Sequence, residues 1–224
     1  MSNPLLKKWL TPFETPPFSE IENRHFLPAI KTAIETAKQE IETLKAETTK
    51  ASFKNTIKML EGSGRMLDRV SSIFFNLHSA ESDEELRNLA QDISPLLTQH
   101  GNDILLDEES FAKVKYAYDH TDLDKLSAEQ KMLLDKTYKG FVRNGALLND
   151  EKKKNLREID EKLSKIKLEF GNHVLTETQR YEKIIIDKKL LLGLPAYVIE
   201  AAKEEAKKRK REGWVFTLDF PSYS

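Results

Sequence analysis

Residues 25–47, HFLPAIKTAIETAKQEIETLKAE, decide the fold class. Phe26, Ile30, Ala33, Ile34, Ala37, Ile41 and Leu44 recur three and four apart, which lays them along one face of an α-helix and leaves the charged residues on the other. Ser19 and Glu22 stand at capping-box spacing ahead of this stripe, and Pro28 suits a first helical turn, so a helix ending near Glu47 is predicted. An isolated helix of that length is marginal in water. Burying the large members of the stripe contributes roughly 1.5–3 kcal/mol each, so the helix requires partner helices.

The flanking sequence supplies candidates. Upstream, PFETPPF at residues 12–18 is not expected to be helical, because three prolines remove donors and push their predecessors toward extended geometry; an extended, Pro-rich, surface-laid arm over residues 1–18 is expected. Downstream, Ser52 opens a periodic segment through Phe53, Ile57, Leu60, Leu67, Val70 and Phe74, with a kink expected at Gly62-Ser63-Gly64. Ser82 and Glu85 have capping-box spacing before Leu86, Leu89, Ile93 and Leu97, and Pro95 should bend or break that helix. A shorter helix is read over Asp107 to Tyr118, another from Ser127 and Gln130 toward Val142, and a long one from Asp150 to about Thr178 after Asn149. Along the long one, Leu156, Ile159, Leu163, Ile166, Phe170 and Val174 alternate at three and four, a packing seam.

After Tyr181 the pattern changes: Ile184-Ile185-Ile186, then LLLGLP, a charged helix from Pro195 to Glu212, and WVFTLDF, giving two short strands flanking a helix. The expected fold is mostly α, an irregular multi-helix array with one or two short strands near the C-terminus. Its expected organisation is an arm over 1–18, a helical amino-terminal domain over 19–181, and a strand-helix-strand segment over 182–224 that leads into an absent catalytic domain. The closing Pro221-Ser222-Tyr223-Ser224 lacks termination logic and reads as a cut. No segment repeats at a fixed period of about 20–50 residues, which disfavours a regular solenoid.

Composition agrees. In 224 residues, 36 Lys and Arg stand against 37 Asp and Glu, so a formal charge of −1 supplies no field for capturing nucleic acid or an anionic membrane. A 33% charged fraction with only 8 Gly and 8 Pro suits long amphipathic helices. The absence of cysteine excludes disulfides and thiolate metal sites. Met1 to Thr11 lacks the apolar core of a secretory signal, and no run approaches the ~20 apolar residues of a membrane span; a soluble, cytoplasmic protein is expected.

Chemistry is sparse. The histidines are His25, His78, His100, His120 and His173; none lies three or four from another, so H-E-x-x-H is absent, and each is read as a surface cap or a satisfied hydrogen-bonding group. Gly62-Ser63-Gly64 lacks the Lys-Ser/Thr of a phosphate loop. Asp83-Glu84-Glu85 and Glu108-Glu109 stand at helix starts, where carboxylates oppose the positive end of the helix dipole. The run Lys207-Lys208-Arg209-Lys210-Arg211 precedes Gly213 at a helix C-terminus, where cations complement free carbonyls, and Trp214 alone is too little for a base-stacking platform. No residue of this chain is assigned a catalytic, cofactor-binding or metal-binding role.

The order of several segments is more telling than any one of them: NPLL at 3–6, TPFETPPFSEI at 11–21, HFLPAIKTAI at 25–34, TIKMLEGSGRMLDRVSSIFFNL at 56–77, LLLGLP at 190–195 and GWVFTLDFPSYS at 213–224. Together they resemble the amino-terminal part of the thimet oligopeptidase family of zinc metallopeptidases, most closely the oligopeptidase A and peptidyl-dipeptidase group. The resemblance implies a helical half flanking a deep channel that admits only short peptides. It also implies a zinc site built from an H-E-x-x-H helix and a later glutamate, all beyond the matched segment; neither His173 nor Tyr223 can receive those roles. Zinc thus belongs to a full-length parent, this fragment carries none, and its partners would be the catalytic half of the same chain and short peptides, with no nucleic acid and no membrane. The competing expectation is a helical protein-interaction module without enzymatic activity. In the first case the loss of a covering half exposes apolar surface and favours self-association.

Overall fold

The computed structural model describes residues 3–81 and 83–218. The chain divides into two compact units, Met1–Lys165 and Ile166–Ser224. Helices dominate, and the strands form one two-stranded antiparallel sheet near the C-terminus.

In the first unit the stripe read from residues 26–44 becomes helix α1, Phe26–Ala46, with Phe26, Ala29, Ile30, Ala33, Ala37, Ile41 and Leu44 buried. Its N-terminus is not closed by Ser19 and Glu22. Instead Glu22 and His25 cap each other around a single 3₁₀ turn, Asn23–His25, because the turn between them already satisfies the donors that Ser19 would have reached. The arm also holds 3₁₀ turns at Pro12–Glu14 and Phe18–Glu20, where proline fixes φ without needing a donor. Residues 12–18 stay largely exposed, while Leu5 is wholly buried.

Helix α2, Lys58–Gly62, and α3, Arg65–Ala80, follow a wide turn at Phe53–Ile57 that Ser52 and Asn55 cap reciprocally. The expected kink at Gly62-Ser63-Gly64 is a full interruption. Gly64 sits at φ 72°, a left-handed conformation that ends one helix before the next starts. The Phe26 and Phe74 rings meet edge to face at 5.2 Å, and α1 packs on α3.

Helix α4, Glu84–Leu105, is capped by the Asp83 side chain, which accepts from the Leu86 amide at 2.7 Å; the Ser82 cap lies outside the described residues. Pro95 does not break it. Leu86, Ala90 and Ile93 are buried on one side of the proline and His100 and Asn102 on the other. The apolar burial of Leu86, Ala90 and Ile93 works against the ~3 kcal/mol that proline costs a helix interior.

Helices α5, Glu108–His120, and α6, Ala128–Arg143, start where Asp107 and the Ser127–Gln130 box cap them. They enclose a second core of Ile57, Phe111, Val114, Ala117, Leu134 and Phe141, with Tyr118 stacked on Tyr138 at 4.1 Å. Helix α6 ends in a Schellman turn: the Ala146 amide donates to the Phe141 carbonyl and the Gly145 amide to that of Val142. Gly145, at φ 99°, has no room for a side chain, since a β-carbon would lie 2.8 Å from Leu156 Cδ2.

Helix α7, Asp150–Arg180, runs through the boundary between the units. Its expected seam is not packed: Ile159, Leu163, Ile166, Phe170 and Val174 are between 43% and 69% exposed. Periodicity declares an apolar face, but the partner for that face is not supplied by the described residues.

In the second unit strand β1, Lys183–Ile185, pairs with β2, Trp214–Phe216, in the register Lys183↔Phe216, Ile184↔Val215 and Ile185↔Trp214. Between them helix α8, Ala196–Lys208, buries Ala202 and Ala206, and Val215 is buried on β2. The helix packs on that strand.

Candidate functional site

The five histidines do not converge. His25 accepts the Glu22 amide at Nδ1 (3.0 Å), and His120, at the end of α5, stacks on Tyr116 at 4.0 Å. His173 is exposed on α7. Two depart from the expectation of a satisfied surface group. His78 lies against Phe74 and Phe75, and its Nε2 finds no hydrogen-bond partner among the described residues. His100 is 7% exposed, with Nδ1 likewise unpartnered. Burial holds both imidazoles below the ordinary histidine range; Arg87 adds to this at His78 and Lys38 at His100, where Asp103 opposes it. The polar sequence neighbours that suggested exposure lie on the other faces of α3 and α4.

The charged residues that do converge sit at the C-terminal end of α4 and the first turns of α5 and α7. Asp103 receives Arg157 at 2.7 Å and Lys38 at 3.6 Å, and Glu108 receives the nearly buried Lys153 at 3.1 Å. Asp107 caps α5 by accepting from the Ser110 amide at 2.7 Å and lies 3.6 Å from Lys45. Burial works against its charge, yet those hydrogen bonds and Lys45 prevail and hold its carboxyl below the usual range. These carboxylates line an open groove of about 540 Å³ with Asp150, Lys153, Lys154 and Arg157. Each carboxylate there with a short contact is engaged by a cation or a helix amide, which is the chemistry of a clamp between helices. These pairs join positions about 45–65 residues apart in the sequence, and no local signal announces them.

The acidic clusters behave as helix starts: Asp83 caps α4 with Glu84 and Glu85 in its first turn, and Glu108 and Glu109 occupy the first turn of α5. The basic run at the end of α8 is interleaved with carboxylates. Arg209 contacts Glu205 at 2.6 Å and Glu182 at 3.2 Å, Arg211 contacts Glu182 at 2.8 Å, and Lys207 and Lys208 pair with Glu204 and Glu205. Hydrogen bonds from Arg211, then Arg209, hold the Glu182 carboxyl below its usual range.

Among the described residues no group of three or more His, Asp or Glu side chains could hold a metal ion, so this part of the chain does not fit zinc. None of its helices is long and apolar enough to cross a membrane.

The sequence relatives of this mostly helical polypeptide are peptidases. Oligopeptidase A of Escherichia coli (strain K12) is 31% identical over 223 residues, spanning 100% of this chain and 32% of that protein. Dipeptidyl carboxypeptidase of Salmonella typhimurium is 30% identical over 218 residues, or 97% of this chain and 32% of its own length. A probable cytosolic oligopeptidase A of Arabidopsis thaliana is 27% identical over 232 residues, again 32% of its length. No family model matches the chain. Along its whole length the chain is similar to the amino-terminal portion of oligopeptidase A and dipeptidyl carboxypeptidase. It spans 32% of the length of these curated relatives.

Proposed function

We propose that this chain is the amino-terminal helical domain of a zinc-dependent oligopeptidase, that it forms one wall of a channel admitting short peptides, and that it is itself catalytically inert. The observation that carries the reading is the whole-length match to relatives three times as long. Zinc and the water-activating glutamate would come from a catalytic half carrying H-E-x-x-H, a motif missing from these 224 residues. That half is the first partner and short peptides the second.

The surface offered to the catalytic half is the apolar segment after β1 in the second unit. Ile186, Leu190, Leu192 and Tyr197 are each at least 60% exposed there, and Leu191, Leu192, Leu194 and Ile199 line an open hollow. Apolar side chains so concentrated mark an interaction surface. A cytoplasmic location is supported by the Arabidopsis relative named as cytosolic. The ion pairs along Lys207–Arg211 favour a helix end over a nucleic-acid patch.

The test has two arms. Reading the source gene past the codon for Ser224 should reveal an in-frame H-E-x-x-H, and an immediate stop codon would refute the reading. The purified chain with zinc should leave short peptides uncut; metal-dependent cleavage by it, with contaminating proteases excluded, would refute the claim of inertness.

A further inference from the structure

The first half of α7, residues 150–165, lies in the first unit and is joined to it by polar contacts rather than by a core. Helix α1 buries seven residues, whereas α7 buries one among the residues described, Lys153. Leu156 is half-buried against the turn at Gly145, and Ile159 and Leu163 are 58% and 43% exposed. Two ion pairs bridge this half to its neighbours: Lys153 to Glu108 of α5 at 3.1 Å, and Arg157 to Asp103 of α4 at 2.7 Å. Both sides of the Arg157–Asp103 bridge are open. One groove of about 540 Å³ runs beside Asp150 and Lys154, another of about 450 Å³ beside Glu158 and Glu161, and both are bordered by Asp103 and Arg157. Charge props the helix on α4 and α5.

Such an attachment breaks without unfolding anything. Partly exposed ion pairs hold modestly, and salt screens them as the Debye length shrinks from about 10 Å at 0.1 M to about 3 Å at 1 M, while apolar contacts stay in place. The helix itself survives release. Asn149 caps it by accepting from the Lys152 amide at 3.0 Å, Glu161 pairs with Lys165 within it, and at 31 residues it is long enough to persist.

We propose that residues 150–165 form a strap latched to the first unit by Lys153–Glu108 and Arg157–Asp103, and that this strap leaves α4 and α5 as an intact helix while α1–α6 stay folded. Ionic strength sets the balance between the latched and released states. The device lies within the first unit and does not rest on the peptidase reading.

The chain Met1–Ser224 has no cysteine, so paired spin labels at Asp92→Cys and Lys162→Cys report the distance from α4 to α7 without interference. Pulsed dipolar spectroscopy should give one short distance at about 0.05 M NaCl, and a longer one whose share relative to the first grows about tenfold at about 1 M. Lys153→Gln combined with Arg157→Gln should produce the longer distance already at low salt. Lys45→Gln removes charge pairs between α1 and α5 that do not reach α7, and it should leave the distribution unchanged. Labels at Lys31→Cys and Asp68→Cys, on α1 and α3, should hold one distance throughout. A single α4–α7 distance at both salt concentrations and in the double variant overturns the proposal, because something other than charge then holds the helix. So does an equal response from Lys45→Gln, or a salt-dependent change between α1 and α3, which would mean that the core itself loosens.

Discussion

The backbone carbonyl of Ile185 occupies the space that a β-carbon on residue 213 would need, and Gly213 stands at φ 87°. Both facts bind the turn into β2 to glycine. Gly213→Ala should therefore cost roughly 2 kcal/mol or more, combining left-handed strain with a backbone clash. Because the clash falls on the β1–β2 ribbon, hydrogen exchange should show lost protection at Ile184 and Val215 while α1 remains protected. Gly171→Ala is the control. Nothing lies within 4 Å of its would-be side chain in mid-helix α7, so it should stabilise by about 0.5–1 kcal/mol.

Helix α8 ends in a Schellman turn, with the Arg211 amide donating to the Ala206 carbonyl at 2.8 Å and Lys210 at φ 56° in the position that favours glycine. A lysine there carries left-handed strain that glycine avoids. Lys210→Gly should raise the stability of the second unit by about 1 kcal/mol, measured by chemical denaturation with a probe on Trp214.

Much of this architecture is local in origin and therefore legible in the sequence. The Ser127–Gln130 start of α6 and the stripe from Phe26 to Leu44 each combine a spacing with a chemical reason, and each stands where it was read. What was not legible depends on distant partners. Pro95 reads as a break because its cost is local, whereas the burial that carries α4 across it comes from other helices. His100 reads as a surface group because Gln99 and Gly101 flank it, yet the helix turns it inward. The α7 stripe was read as a packed seam, but periodicity says only that a face exists. The groove around Asp103 had no signal at all, since its pairs join helices far apart in the chain.

The N-terminal arm is predicted to be a structural part of the first unit. Arg69 donates to the Leu5 carbonyl at 3.0 Å and lies 4.5 Å over the Trp9 ring, whose Nε1 donates to the Pro4 carbonyl at 3.0 Å. Leu5 is fully buried and Phe13 almost fully exposed. Leu5→Ala should cost about 2–5 kcal/mol, and Phe13→Ala should change stability by less than about 0.5 kcal/mol. Thermal unfolding of the two variants checks the contrast; equal effects would show that the whole arm is merely laid on the surface.

His100 should make the first unit sensitive to mild acid. Its side chain faces Lys38 of α1 and Asp103 of its own helix, and burial with Lys38 outweighs Asp103 in disfavouring the charged imidazole. Its folded pKa is thus below the ordinary value of 6.5, so the unfolded chain takes up a proton that the folded chain resists. Stability is then lost as pH falls below about 6.5, before the carboxylates near 4 begin to protonate. His78 acts in the same direction, with burial again the leading cause. His100→Leu should flatten the slope of stability between pH 7 and 5 and also relieve the unpartnered Nδ1, while the exposed His173→Leu should leave the slope unchanged. Denaturation midpoints across that range decide it: a His100→Leu slope equal to that of the unaltered chain would mean that the imidazole is protonated as readily inside the fold as in water.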